Sequence, residues 1–185
     1  MKYIKLLFLI LIIAFYSGKS FSNYSLINQL QEGGKIIMIR HAYAPGTGDP
    51  DKFSIKDCST QRNLNDNGIS QAKQIGNFFI KNKIPIDQVL SSEWCRCKDT
   101  AFFAFNKFKT ISSLNSFYDI RFQKNKDKQI NELKNLIKNW NGQKNIILIT
   151  HYVVIRELLS ISSVSGEIVI TDKRFNILGR IKNSL

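Results

Sequence analysis

A chain of 185 residues, 43% hydrophobic and 22% charged, is long enough for one globular domain and short for two. That apolar content excludes a disordered basic tail, and three prolines with three cysteines exclude a proline-rich linker or a disulfide-dense miniature scaffold. A formal net charge of +13 points to an anionic partner without choosing among nucleic acid, anionic lipid and phosphorylated small molecules.

At the N-terminus, Lys2 and Lys5 precede an unbroken apolar and aromatic run from Leu6 to Tyr16. Ser20-Phe21-Ser22 then places small residues at the two positions a signal peptidase reads. This layout predicts a signal peptide over 1–22 and a domain over 23–185, hence export to an envelope or periplasmic space. The run is short for a spanning helix, and an uncleaved anchor is the alternative. Ser25 to Gln31 reads as a short helix stopped at Gly33-Gly34. Lys35 to Ile39 is a buried strand, followed by a polar loop punctuated by Pro45, Gly46, Gly48 and Pro50. Between Asp66 and Lys81, Ile69, Ala72, Ile75, Gly76, Phe79 and Ile80 recur at helical spacing. Gln88 to Ser91 reads as a strand, Arg96 to Phe108 as an aromatic-rich helix and Thr110 to Ser112 as a short strand. Ile130, Leu133, Leu136, Ile137 and Trp140 mark a third long helix. Asn145 to Thr150 is another buried strand, Val153 to Ile161 a helix, and Ile168–Thr171 with Asn176–Ile181 a closing hairpin. Strands alternating with helices predict an α/β fold: a three-layer sandwich with a mostly parallel central sheet flanked by helices.

In such sheets ligands bind beyond the carboxyl ends of the strands. Arg40-His41 follows the first strand, Ser91-Ser92 and then Arg96 follow the second, and Thr150-His151 closes the fourth. Both histidines of the chain therefore fall at one sheet edge with two arginines, a cationic pocket without a carboxylate cluster. Arginine forks match phosphate oxygens, helix N-termini after Ser92 and His151 can face the same anion, and a neutral imidazole is a competent nucleophile toward phosphorus. One histidine or one arginine alone would more often be structural; their convergence favours function. The odd cysteine count allows one bridge, Cys58 with Cys95 or Cys97, and buried free thiols are an equal alternative. A metal site is weaker, because the spacing matches no common zinc pattern.

At these residues a family resemblance appears. Met38-Ile39-Arg40-His41-Ala42 resembles the Arg-His-Gly/Ala signature of the histidine phosphatase (phosphoglycerate-mutase-like) superfamily. Leu64-Asn65-Asp66-Asn67-Gly68-Ile69-Ser70-Gln71-Ala72 resembles its Leu-Thr-x-x-Gly-x-x-Gln-Ala helix start. Ser91 to Ala101 resembles its Ser-Ser-x-x-x-Arg-x-x-x-Thr-Ala segment, and Ile149-Thr150-His151 its late Val-x-His motif.

The resemblance implies a phosphoglycerate-mutase-like fold and a metal-independent phosphomonoesterase that needs no cofactor. His41 would attack the phosphoryl group and become phosphohistidine, with Arg40, Arg96 and His151 holding the phosphoryl oxygens. Thr47 falls where the family often places a further polar contact. The segment Asp57 to Leu64 resembles a small exported branch that includes phosphatases of lipopolysaccharide core heptose phosphate. In that branch Arg62 reaches the pocket; a surface ion pair is its alternative. The family commonly carries an acid in a Leu-x-Glu pattern, but Leu114-Asn115-Ser116 puts Ser116 there, leaving Glu167 as the favoured proton donor and Asp119 as the second candidate. The missing acid motivates a second reading, a non-catalytic phosphate- or anion-binding protein of the same fold. No helix-turn-helix, RNA-binding or zinc-finger pattern supports a specific nucleic-acid partner. The remaining Lys-rich surface suits attraction of a small phosphorylated substrate or contact with an anionic envelope surface.

Overall fold

The computed structural model of the protein describes residues 26–182. The segment 1–22, read as a signal peptide, lies outside the described residues. A first helix, α1, is described over 26–32. There follow β1 (Ile36–Arg40), α2 (Asp66–Lys81), β2 (Ile86–Ser91), α3 (Cys95–Phe105), β3 (Lys109–Thr110), α4 (Ile120–Gln123) and α5 (Lys126–Asn139). The chain closes with β4 (Asn145–Thr150), α6 (Tyr152–Leu159), β5 (Ile168–Thr171) and β6 (Ile177–Ile181).

The strands form one six-stranded sheet in the order β3-β2-β4-β1-β5-β6. β1 pairs in parallel with β4, and β4 with β2, so the ends of three strands point to one edge. β5 runs antiparallel to β1 and turns into β6 as a hairpin.

Strand side chains alternate between two faces, and here both faces are covered, which is why β1 and β4 read as continuous apolar runs. Ile36 and Met38 of β1, with Ile146 and Leu148 of β4, pack beneath α5 and α6 against Leu133, Ile137 and Val154. Ile37, Ile39, Ile147 and Ile149 face the opposite layer, with Leu30 of α1, Ile75 and Phe79 of α2, and Ala101 of α3. This is the α/β three-layer sandwich that the sequence predicts.

The differences are local and have causes. α3 stops at Phe105 rather than continuing to Phe108, because Asn106 turns to φ 62 and bonds back to the Phe102 carbonyl. The four residues of α4 are too few to leave a periodic signature. α2 begins where Asn65 caps it by accepting the Gly68 N–H at 3.0 Å. Gly68 permits a close approach of chain to chain: a Cβ there would fall 2.0 Å from the Tyr43 carbonyl oxygen. That contact packs the start of α2 against the segment that carries the residues after β1.

Candidate active site

The cleft at the strand ends is assembled by backbone bonds between neighbours. The N–H of His41, one residue beyond β1, donates to the Thr150 carbonyl at 2.9 Å, locking the ends of β1 and β4 together. The His41 and His151 rings consequently lie 5.5 Å apart, edge to face. Thr100 on α3 clamps the same corner: its Oγ1 accepts the Ala42 N–H at 2.9 Å and donates to the Arg96 carbonyl at 2.7 Å. Gln71 on α2 accepts the Tyr43 N–H at 2.9 Å. The Gln and Thr of the two helical motifs thus fix the backbone just after the first histidine.

Hydrogen bonding sets the tautomers. His41 Nδ1 lies 2.8 Å from the Ala42 carbonyl, which only accepts, so the proton sits on Nδ1 and the lone pair on Nε2. That Nε2 faces Arg96 Nε at 3.2 Å. His151 presents Nδ1 to Arg96 Nη2 at 3.5 Å, and arginine only donates. Its Nε2–H therefore donates to Ser92 Oγ at 2.8 Å, and Ser92 passes a hydrogen bond to Asn115 Oδ1 at 3.1 Å. Both imidazoles are pushed well below the usual histidine range, first by burial and next by the Arg96 charge. Both are neutral at neutral pH, with lone pairs aimed at one guanidinium.

Around this pair lies a cavity of about 530 Å³. Arg40, His41, Thr47, Arg62, Arg96 and His151, the candidate residues read from the sequence, all line it. Arg40 donates to the Ser163 carbonyl at 2.6 Å and keeps a buried Nε without a partner. Burial and the neighbouring Arg96 lower the proton affinity of both Arg40 and Arg62. Arg62 is more than a cavity wall. Its Nε bonds the Gly48 carbonyl at 2.6 Å and its Nη1 the Ala44 carbonyl, folding the loop between Ala44 and Pro50 around itself. It reaches the pocket and is not the surface ion pair considered as its alternative.

Glu167 is a correction. Its side chain is wholly buried, accepts Arg180 Nε at 2.7 Å and the Val164 N–H at 2.8 Å, and is not among the residues lining the cavity. Arg180 lies on β6, whose pairing with β5 sets it opposite Val169, so Glu167 is bound into the closing hairpin and set away from the cavity lining. Ser116 and Asp119 do line the cavity. Arg121 grips Asp119 with Nε at 3.0 Å and Nη2 at 2.8 Å, which holds its carboxyl below the usual range.

Several cavity residues escape sequence reasoning, and two of them touch Arg96 or His151 directly. Asp49 contacts Arg96 Nη1 at 2.8 Å, and Trp94 donates from Nε1 to Asp49 at 3.1 Å while its ring packs on His151 at 5.3 Å. Both come from a loop or a helix start with no periodic pattern. Proximity to Pro45, Gly46 and Gly48, which mark a tight loop, is the only available signal for Asp49.

Cys58 and Cys95 form a disulfide with Cα atoms 5.6 Å apart, resolving the pairing, and Cys97 remains free. Burial pushes the Cys97 thiol up to about 12, so it stays protonated beside His151. Among the described residues no group of three or more His, Cys, Asp or Glu is placed to hold a metal ion.

Comparison with known proteins agrees with this geometry. Residues 36–144 match the model of the histidine phosphatase superfamily (branch 1). No curated protein matches the sequence. Among solved structures, the protein histidine phosphatase SixA complexed with tungstate superposes with a TM-score of 0.56 at 17% identity, covering 80% of this chain and 96% of its own. Phosphoglycerate mutase from Thermus thermophilus gives 0.58 at 15% identity, covering 81% and 99%. A phosphoserine phosphatase mutant from Entamoeba histolytica in complex with phosphoserine gives 0.53 at 19%, covering 74% and 89%. The family match spans more than half the chain and contains β1, α3 and the first histidine with both of the strand-end arginines. The protein is a phosphatase that belongs to branch 1 of the histidine phosphatase superfamily.

Proposed function

We propose that the protein is a metal-independent phosphomonoesterase working through a phosphohistidine on His41. The observation that carries this reading is the His41 tautomer: Nδ1–H tied to the Ala42 carbonyl leaves the Nε2 lone pair facing the cavity beside Arg96. In the first step Nε2 bonds to phosphorus and the bond to the leaving oxygen breaks, with its electron pair going to that oxygen, which takes a proton from solvent and departs as the alcohol. Arg40 and Arg96 hold the equatorial oxygens. His151 takes a proton at Nδ1 when the anion binds and becomes a further donor, while Ser92 keeps its ring in register. Water then attacks phosphorus, the P–Nε2 bond breaks and inorganic phosphate leaves.

The substrate we infer is a small phosphorylated molecule of the cell envelope, a sugar phosphate such as a lipopolysaccharide core heptose phosphate. Beside the arginines and histidines, the cavity is lined by Tyr118, Ile120 and Tyr152, and the two tyrosine rings offer flat faces to a sugar. Export is supported by the signal-peptide layout and by the Cys58–Cys95 bridge, since disulfides persist in oxidising compartments. Two solved relatives hold compatible ligands, tungstate in one and phosphoserine in the other.

The test is turnover of p-nitrophenyl phosphate and of a sugar-phosphate panel by purified protein, with and without EDTA. Parent activity that survives chelation and falls at least about 1,000-fold in His41→Ala is expected. Equal rates for the two proteins, or no turnover at all, would favour the anion-binding alternative.

A further inference from the structure

Asp49 is a carboxylate in the wall of an anion site. Its side chain is 7% exposed, its Oδ1 accepts Arg96 Nη1 at 2.8 Å and the Arg62 N–H at 3.0 Å, and its Oδ2 accepts Trp94 Nε1 at 3.1 Å. A negative charge there opposes the substrate the cavity is otherwise built to hold, so its presence needs an account.

The geometry around Arg96 supplies one. Its guanidinium is shared between two directions: Nε and Nη2 face His41 and His151, and Nη1 faces Asp49. An anion lying between the imidazoles meets the Nε–Nη2 edge as a fork, and Asp49 secures the remaining nitrogen behind it. The loop that carries Asp49 is itself folded by Arg62, through the carbonyls of Ala44 and Gly48, and pinned from the other side by Trp94.

We propose that Asp49 is a positioning residue for Arg96 that also limits how tightly the site holds phosphate, so that product is released. This rests on the cavity being the phosphoryl site. Arg40, Arg62 and Arg96 together would bind a dianion strongly beside the buried His41 and His151, because Coulomb attraction grows as water is excluded. The fixed carboxylate on Arg96 cancels part of that field while keeping the fork aimed. It acts on the free enzyme, the complex and the product alike, and its largest kinetic consequence falls on whichever step releases an anion. The other cavity carboxylate, Asp119, is neutralised by its own Arg121 and stands apart from Arg96.

The sign of the effect separates this role from a structural one. Calorimetry with inorganic phosphate is run on the parent, Asp49→Asn, Asp49→Ser and Asp49→Glu, alongside steady-state kinetics on p-nitrophenyl phosphate. Asp49→Asn and Asp49→Ser are expected to bind phosphate at least about threefold more tightly, with KM and the phosphate inhibition constant falling together. Asp49→Glu is expected to keep parent-like phosphate affinity while kcat drops, because the charge stays and the aim of Arg96 changes. A folded neutral variant that binds phosphate with unchanged or weaker affinity overturns the proposal. So does failure of both neutral variants to fold, which would make Asp49 a structural counter-charge. The calorimetry needs no turnover: a parent that binds phosphate but hydrolyses nothing contradicts the phosphatase mechanism alone, and a parent that binds no phosphate overturns this proposal.

Discussion

His41 and His151 are buried and have no acidic partner among the described residues, and that has a consequence for stability as well as for chemistry. Their folded-state proton affinity lies well below the unfolded value near 6.5, so the unfolded chain binds more protons as pH falls. The sign follows: stability is full above pH 6.5 and declines as pH drops below it. Urea unfolding is expected to show a loss of roughly 2–3 kcal/mol between pH 7 and pH 5.5, about half of it removed in His151→Gln. A pH-independent midpoint over that range would mean that the histidines titrate in the folded protein as they do in the unfolded chain, and would contradict this reading. At this scale the sequence is most legible where a polar residue directly follows an apolar run, as with Arg40, His41 and His151, because the strand itself aims them. Asp49 and Trp94 reach the cavity through loop geometry, which no spacing encodes. Glu167 misleads for a related reason: its partner Arg180 lies 13 residues on and meets it only through the β5–β6 register.

Among the elements, the Cys58–Cys95 bridge joins the loop between β1 and α2 to the first residue of α3, the neighbour of Arg96. Without it, the loop that carries Asp49 and Arg62 is held to α3 by side-chain bonds alone, among them Arg96–Asp49 and the Cys95 N–H to Gln61 Oε1 at 3.0 Å. The bridge closes a sequence separation of 37, for which loop-closure entropy gives about 3–4 kcal/mol. The double substitution Cys58→Ser, Cys95→Ser is expected to lose stability of that order in chemical unfolding and to raise KM, with the far-UV spectrum retained. A loss below about 1 kcal/mol would show that the side-chain bonds already hold the loop. The existence and type of the long elements are readable because α2 and α5 bury one stripe and β1 and β4 bury both faces. The pairing itself stays open between Cys95 and Cys97 until the direction of α3 is known. Cys97 points inward to the Thr150 carbonyl, and only Cys95 faces the loop.

For the whole molecule, the charge of +13 divides into two parts. Three arginines converge on one cavity at the parallel strand ends, and Asp49 moderates them from within. The lysines of the described residues lie outside the cavity lining. Sheet order makes this division possible: β4 sits between β1 and β2, so residues far apart in the chain meet around one guanidinium. The central claim is that His41 Nε2 carries the phosphoryl group during turnover. It is tested most directly by rapid acid-free quenching of the protein with p-nitrophenyl phosphate, followed by peptide mass spectrometry for an acid-labile phosphoryl adduct. The adduct is expected on the peptide containing His41 in the parent and is expected to be absent in His41→Ala. Turnover without any adduct in the parent, or an adduct that persists in His41→Ala, would contradict it.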